Sequence, residues 1–246
     1  MNALISMNFP PLQEFCAEHN LQKIQAGPNQ ICPECAKNTV NQTNTDHQKH
    51  VDQRVRDLHF GGAMIPVRHK DSVFRNYITE HAGQSNALNN CVEFAKSMIA
   101  GQKRNLIMSG KTGTGKTHLS CATAKTLLNK GIHARYITSE DMATEIANAW
   151  TKPDDSEKSV VYRFTDYNLL IIDEYGLHDR HENRLQLVHK VLYARYDAGK
   201  ATMIVSNLTL AGLQKDLGDR LWSRFQHDGL TVVECNWADK RVGGGL

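Results

Sequence analysis

Gly110-Lys111-Thr112-Gly113-Thr114-Gly115-Lys116-Thr117 sets glycines, a lysine and a hydroxyl in the spacing G-x-x-x-x-G-K-[ST]. Glycine tolerates the backbone conformations that turn successive N–H groups toward one anion, which makes such a loop a phosphate cradle. A helix opening at Lys116 adds its partial positive charge to the same point. In that geometry Lys116 reaches the β- and γ-phosphates of a nucleotide and the Thr117 hydroxyl ligates Mg²⁺. A second set of groups stands at Leu169-Leu-Ile-Ile-Asp173-Glu174, a fully apolar run that ends in two acids. Asp173 would hold Mg²⁺, through water, and Glu174 would act as general base on an attacking water. A base of this kind favours hydrolysis over phosphoryl transfer to a metabolite. No Asn-Lys-x-Asp segment for reading guanine follows, so ATP is the expected nucleotide.

Cys16-x-x-His19 and Cys32-x-x-Cys35 form a third constellation. Each two-residue gap lets a tight knuckle present two ligands to one tetrahedral ion. Thiolate and imidazole together select Zn²⁺ over Mg²⁺ or Ca²⁺, and four protein ligands make the site structural. His47 and His50 are alternatives to His19, in a polar stretch. The remaining cysteines, Cys91, Cys121 and Cys235, fall in apolar pattern.

Elements must bring these groups together. Leu88, Cys91, Val92, Ala95, Met98 and Ile99 recur at helical spacing and stop at Gly101. Short segments at 106–108, 134–138, 169–172, 202–205 and 231–233 read as strands. Helices are expected at 116–129 and 140–149, a polar loop at 151–159, and a helix face through Leu185, Val188, Leu192 and Tyr196. Alternation of strands and helices predicts an α/β fold with a parallel sheet of about five strands covered on both faces. Residues 38–50 are almost wholly polar and read as a linker. The expected division is a zinc-binding module at 1–37, a linker and connecting segment at 38–72, and the nucleotide domain at 73–246.

The 246 residues carry 29 Lys+Arg against 26 Asp+Glu, and nine of each sign fall within residues 1–100. Neither part is a basic patch, so any nucleic-acid contact must be local or built by assembly. No apolar run approaches the roughly 18 residues needed to cross a bilayer, and the N-terminus does not read as an export signal. A reducing cytoplasm is the expected compartment.

Further segments resemble the bacterial DnaC-type helicase loaders, a branch of the AAA+ ATPases close to DnaA. They are Phe74-Arg-Asn-Tyr77, Gly113 to Leu119 including His118, Leu170 to Glu174, Ser206-Asn207-Leu208-Thr209, Leu217 to Phe225 and Asn236 to Arg241. The resemblance covers about residues 60–246. It implies a P-loop AAA+ domain and adds His118 to the nucleotide-binding residues; with only five residues after Arg241, the helical lid is expected to be absent or truncated. It implies that Asn207 orients the attacking water and that Arg224 is an arginine finger acting on a neighbour's nucleotide, with Arg220 one turn earlier as competitor. Arg241 would reach the nucleotide in cis. It also implies self-association through the ATPase domain, a grip on single-stranded DNA, and a DnaB-type replicative helicase as partner, docked by the N-terminal module. Direct nucleic-acid contact by that module is the alternative. An IstB-like transposition ATPase and a nucleotide-gated adaptor without significant turnover are the competing functions.

Overall fold

The computed structural model describes residues 9–176 and 182–239. The chain divides into two compact units, Met1–Val55 and Arg56–Leu246.

In the first unit β1 (Pro11–Phe15), β2 (Gln22–Ala26) and β3 (Asn29–Ile31) form an antiparallel ribbon in that order. Asn20, at φ 49°, returns the chain after Cys16 by donating its N–H to the Cys16 carbonyl at 2.9 Å. Pro33 opens α1 (Pro33–Gly62), a position where its missing N–H costs nothing. The expected linker at 38–50 is therefore helical. None of the α1 side chains is buried, so no apolar periodicity marks the helix. Its polar side chains hydrogen-bond along their own helix instead: Gln42 to Asp46 at 2.9 Å, Gln48 to Asp52 at 2.7 Å.

The second unit holds a parallel sheet of β4 (Asn105–Gly110), β5 (Ala134–Thr138), β6 (Leu169–Tyr175), β7 (Ala201–Ser206) and β8 (Leu230–Cys235). Its order is β5-β6-β7-β4-β8. The five expected strands are all present. Side chains alternate between two cores, as a pleated strand buried on both faces requires. Leu106, Met108, Leu169, Ile171 and Met203 pack with α2 (Ala82–Ile99) and α3 (Lys116–Leu128). Ile107, Leu170, Ile172 and Ile204 pack with α4 (Ser139–Asn148), α5 (Glu157–Asp166), α6 (Glu182–Asp197) and α7 (Leu210–His227). After β4 the chain crosses to the far edge at β5 and works back. The reversal opens a crevice at the carboxyl ends of the strands, beside β4, where such sheets bind ligands.

α5 begins inside the segment read as a polar loop at 151–159. Ser156 caps it, its hydroxyl accepting the Ser159 N–H at 3.1 Å. α7 is bent at Gly218, where φ is 70° and ψ 160°. Among the described residues no helix is long and apolar enough to cross a membrane.

Candidate nucleotide site and metal centre

The phosphate loop joins β4 to α3, in the context that the motif demands. Gly110, Gly113 and Gly115 take φ of 127°, 71° and 86°. A side chain at Gly110 would sit 2.3 Å from the Cys235 carbonyl oxygen, and one at Gly115 would sit 2.7 Å from the Tyr77 ring. The loop is thus tied to its glycines by shape as well as by backbone angle. Lys116 is buried, its ammonium donating to the carbonyls of Gly110 at 2.8 Å and Lys111 at 2.6 Å and to the Thr114 hydroxyl at 3.5 Å. The Thr114 carbonyl accepts from the Tyr77 hydroxyl at 3.2 Å and from Trp237 Nε1 at 3.0 Å. Two residues far apart in sequence, Tyr77 and Trp237, thereby brace the loop. His118 stands in the first turn of α3, its Nε2 donating to the Val73 carbonyl at 3.0 Å, with its ring 5.4 Å from that of Tyr77.

Asp173 is buried at the tip of β6 and is surrounded by donors. Its Oδ2 accepts from Thr117 Oγ1 and from the Tyr136 hydroxyl, each at 2.8 Å, and its Oδ1 accepts the Glu174 N–H at 2.7 Å. Burial, then the nearby Asp173 charge, pushes the Tyr136 phenol well above its ordinary range, so it stays protonated and donates. Glu174 takes φ 56°, unusual for a side chain with a Cβ, at the point where the β6–β7 register shifts. Strain of this kind gathers at functional sites, and here the next residue out from the buried Asp173 is turned into the open. The Ser206 hydroxyl donates to the Tyr175 carbonyl at 2.7 Å and accepts the Leu208 N–H at 3.0 Å, which fixes the end of β7 and with it Asn207. Thr112 to His118, Asp173, Glu174, Asn207 and His69 line one cleft of about 380 Å³.

That cleft fits a nucleotide polyphosphate with Mg²⁺. The glycine cradle offers N–H groups, Lys116 a cation, and the adjoining oxygens of Thr117 and Asp173 suit a hard cation. Tyr136, Tyr77, Trp237 and Ser206 escaped the sequence-level roles. Tyr136 carried one weak signal, a hydroxyl-bearing ring inside a buried apolar strand, where such a group needs a partner. Arg224 and Arg220 lie on α7, outside the cleft; both guanidinium groups stand over the Tyr193 ring, at 4.9 and 5.7 Å. Arg241 lies outside the described residues.

In the first unit the ligand atoms of Cys16, His19, Cys32 and Cys35 all lie within 4.8 Å of one another. His19 Nδ1 is 3.8 Å from Cys16 Sγ, 3.9 Å from Cys32 Sγ and 3.3 Å from Cys35 Sγ, and Cys16 and Cys35 Sγ are 3.7 Å apart. A Zn²⁺ tetrahedron with Zn–S near 2.3 Å has S···S edges of about 3.8 Å and S···N edges of about 3.5 Å, so the cluster has the size of the ion's shell. His19 hydrogen bonds, the backbone one foremost, draw the Cys16 thiol down to about 6, toward the thiolate that metal binding needs. His47 and His50 fall on the exposed run of α1 and are not in the cluster.

Residues 48–232 match the family model described as IstB-like ATP binding protein. The replicative helicase loader DnaC of Escherichia coli (strain K12) is 28% identical over 182 residues, covering 74% of this chain and 74% of that protein. A second protein of the same strain, the uncharacterized YdaV, is 27% identical over 177 residues, 72% of this chain and 71% of its own. Among solved structures, the crystal structure of the DnaC helicase loader superposes with a TM-score of 0.62 at 21% identity, over 69% of this chain and 99% of that one. At that identity the likeness speaks for the fold.

Proposed function

The chain belongs to the IstB-like ATP-binding protein family, and from that premise we propose that it is a cytoplasmic ATPase that loads a DnaB-type replicative helicase onto single-stranded DNA. The observation that carries this reading is the likeness to the helicase loader DnaC, spread over 74% of both chains and spanning the phosphate loop and the acid pair. The loop amides and Lys116 bind and orient the phosphates of ATP, with Gly110 to His118 as the cradle. Thr117 and Asp173 would hold Mg²⁺, which neutralises charge on the phosphates when bound. Glu174 takes the proton of the attacking water and Asn207 orients that water. Both line the cleft with the phosphate loop.

Several copies associate through this domain, and Arg224 of one copy acts on the nucleotide of the next. Hydrolysis loosens that junction, so turnover serves a conformational switch. Arg241 remains an expected contact in cis. Zn²⁺ would be held by Cys16, His19, Cys32 and Cys35, supplying folding free energy to a unit whose three strands bury no residue. That unit faces the helicase.

A second reading, an IstB-like transposition ATPase, rests on the IstB-like description of the matching family model and is less supported than the loader, which has the likeness to DnaC behind it. Purification of the tagged chain in ATP tests the choice. Recovery of the replicative helicase supports the loader, and recovery of a transposase without helicase selects the alternative.

A further inference from the structure

Arg224 is not a free surface arginine. Its guanidinium carbon lies 4.9 Å from the centre of the Tyr193 ring and 4.7 Å from that of Tyr196, both on α6. Its Nη1 also meets Asp197 at 3.5 Å, and the side chain is 23% exposed. Such an exposed carboxylate adds little holding force, whereas two ring faces fix the position of a cation. The part of α6 that carries these rings is itself anchored. Between them stands Arg195, fully buried, donating to Thr202 Oγ1 at 3.0 Å, to the carbonyls of Phe164 at 2.6 Å and Tyr167 at 3.0 Å, and to the Ala201 carbonyl. The rings therefore sit on a turn locked to α5 and to β7, the strand that ends beside Asn207. Tyr196 is steadied in turn by His227, 3.3 Å from its hydroxyl.

We propose that Tyr193 and Tyr196 are positioning residues for the trans-acting arginine: they clamp Arg224 on an immobile stretch of α6 so that each copy presents a pre-set cation to its neighbour's nucleotide. Neither tyrosine lines the cleft of its own chain. The clamp therefore matters to a copy that donates Arg224, not to a copy that receives one. The inference rests on the trans role assigned to Arg224 above.

The test is a mixing experiment on full-length protein, read as ATP turnover. Lys116→Ala protein can donate Arg224 but cannot hydrolyse, and Arg224→Ala protein can hydrolyse only with a donated arginine. Their mixture should regain activity. Adding Tyr193→Leu and Tyr196→Leu to the Lys116→Ala donor should cut the regained rate by about tenfold, the scale of two lost ring–cation contacts. Tyr193→Phe with Tyr196→Phe keeps both ring faces and should restore it. The same leucine changes placed in the Arg224→Ala acceptor should leave the regained rate within about twofold. Equal loss from donor and acceptor would mean a structural role and overturn the proposal, as would no loss from the donor. Failure of the unmodified mixture to regain activity would overturn the trans reading itself, and the clamp with it.

Discussion

Lys116 and Glu174 line one cleft with opposite charges, and the proposed function gives them separable duties. Lys116→Ala removes the cation that the loop holds ready, and tight ATP binding should be lost. Glu174→Gln keeps shape and hydrogen bonding but cannot take a proton. ATP should bind and persist, with hydrolysis down by about 10²-fold or more. Nucleotide titration and phosphate release on both variants check the division, and equal loss of binding would contradict it. Tyr136→Phe removes one of three donors to Asp173. Affinity for ATP with Mg²⁺ should fall by about tenfold, as expected for a hydrogen bond to a charged group. Affinity measured in chelator should not change. The contrast shows what a sequence displays at this scale. Lys116, Thr117 and the glycines are legible because one loop carries them at fixed spacing. The Tyr136–Asp173 contact joins neighbouring strands 37 residues apart, and only the parallel register of β5 with β6 brings it about.

Arg195 ties α5, α6 and β7 together without a carboxylate partner among the described residues. Burial pulls its pKa down to about 9, while the oxygens around it favour the cation, so it remains charged at neutral pH. Arg195→Met would strand those carbonyls in the core. A loss of about 3 kcal/mol in denaturant unfolding is expected. Within the second unit, the His59 and His133 rings stack at 4.1 Å and His133 meets Tyr167 at 4.5 Å. Burial, then His59, lowers the His133 pKa. Asp166 opposes the shift and Lys200 adds to it. A lowered histidine means that the unfolded chain binds the proton first, so stability is full above about pH 6.5 and declines as pH falls below it. Melting temperature should fall as pH drops below about 6.5, and His133→Gln should flatten that slope. Elements differ in legibility for the same physical reasons. The inner strands announce themselves because their apolar stretches, 106–108, 169–172 and 203–205, are buried on both faces. α1 has no buried side chain and so no apolar period, and the polar start of α5 hides a capped helix. The ribbon of β1 to β3 exposes most of its residues and carries no alternation, although the cysteine and histidine spacing that it supports was plain.

Across the whole molecule the proposed function divides the chemistry between the two units. Purified protein should carry about one Zn²⁺ per chain, and Cys32→Ser should lose it while the ATPase unit stays folded. Metal analysis together with the thermal transition of the ATPase unit checks both halves of that statement, and metal-free protein from a chelator-free preparation would contradict it. The central claim is that ATP bound at the Lys116 cradle is used to put a ring helicase onto single-stranded DNA. A closed single-stranded circle has no end to thread, so retention of helicase on it after high-salt gel filtration reports loading directly. Wild-type protein with ATP should leave helicase on the circle, and Lys116→Ala should not. Helicase absent from the circle with wild-type protein, or present equally with Lys116→Ala, would contradict the account.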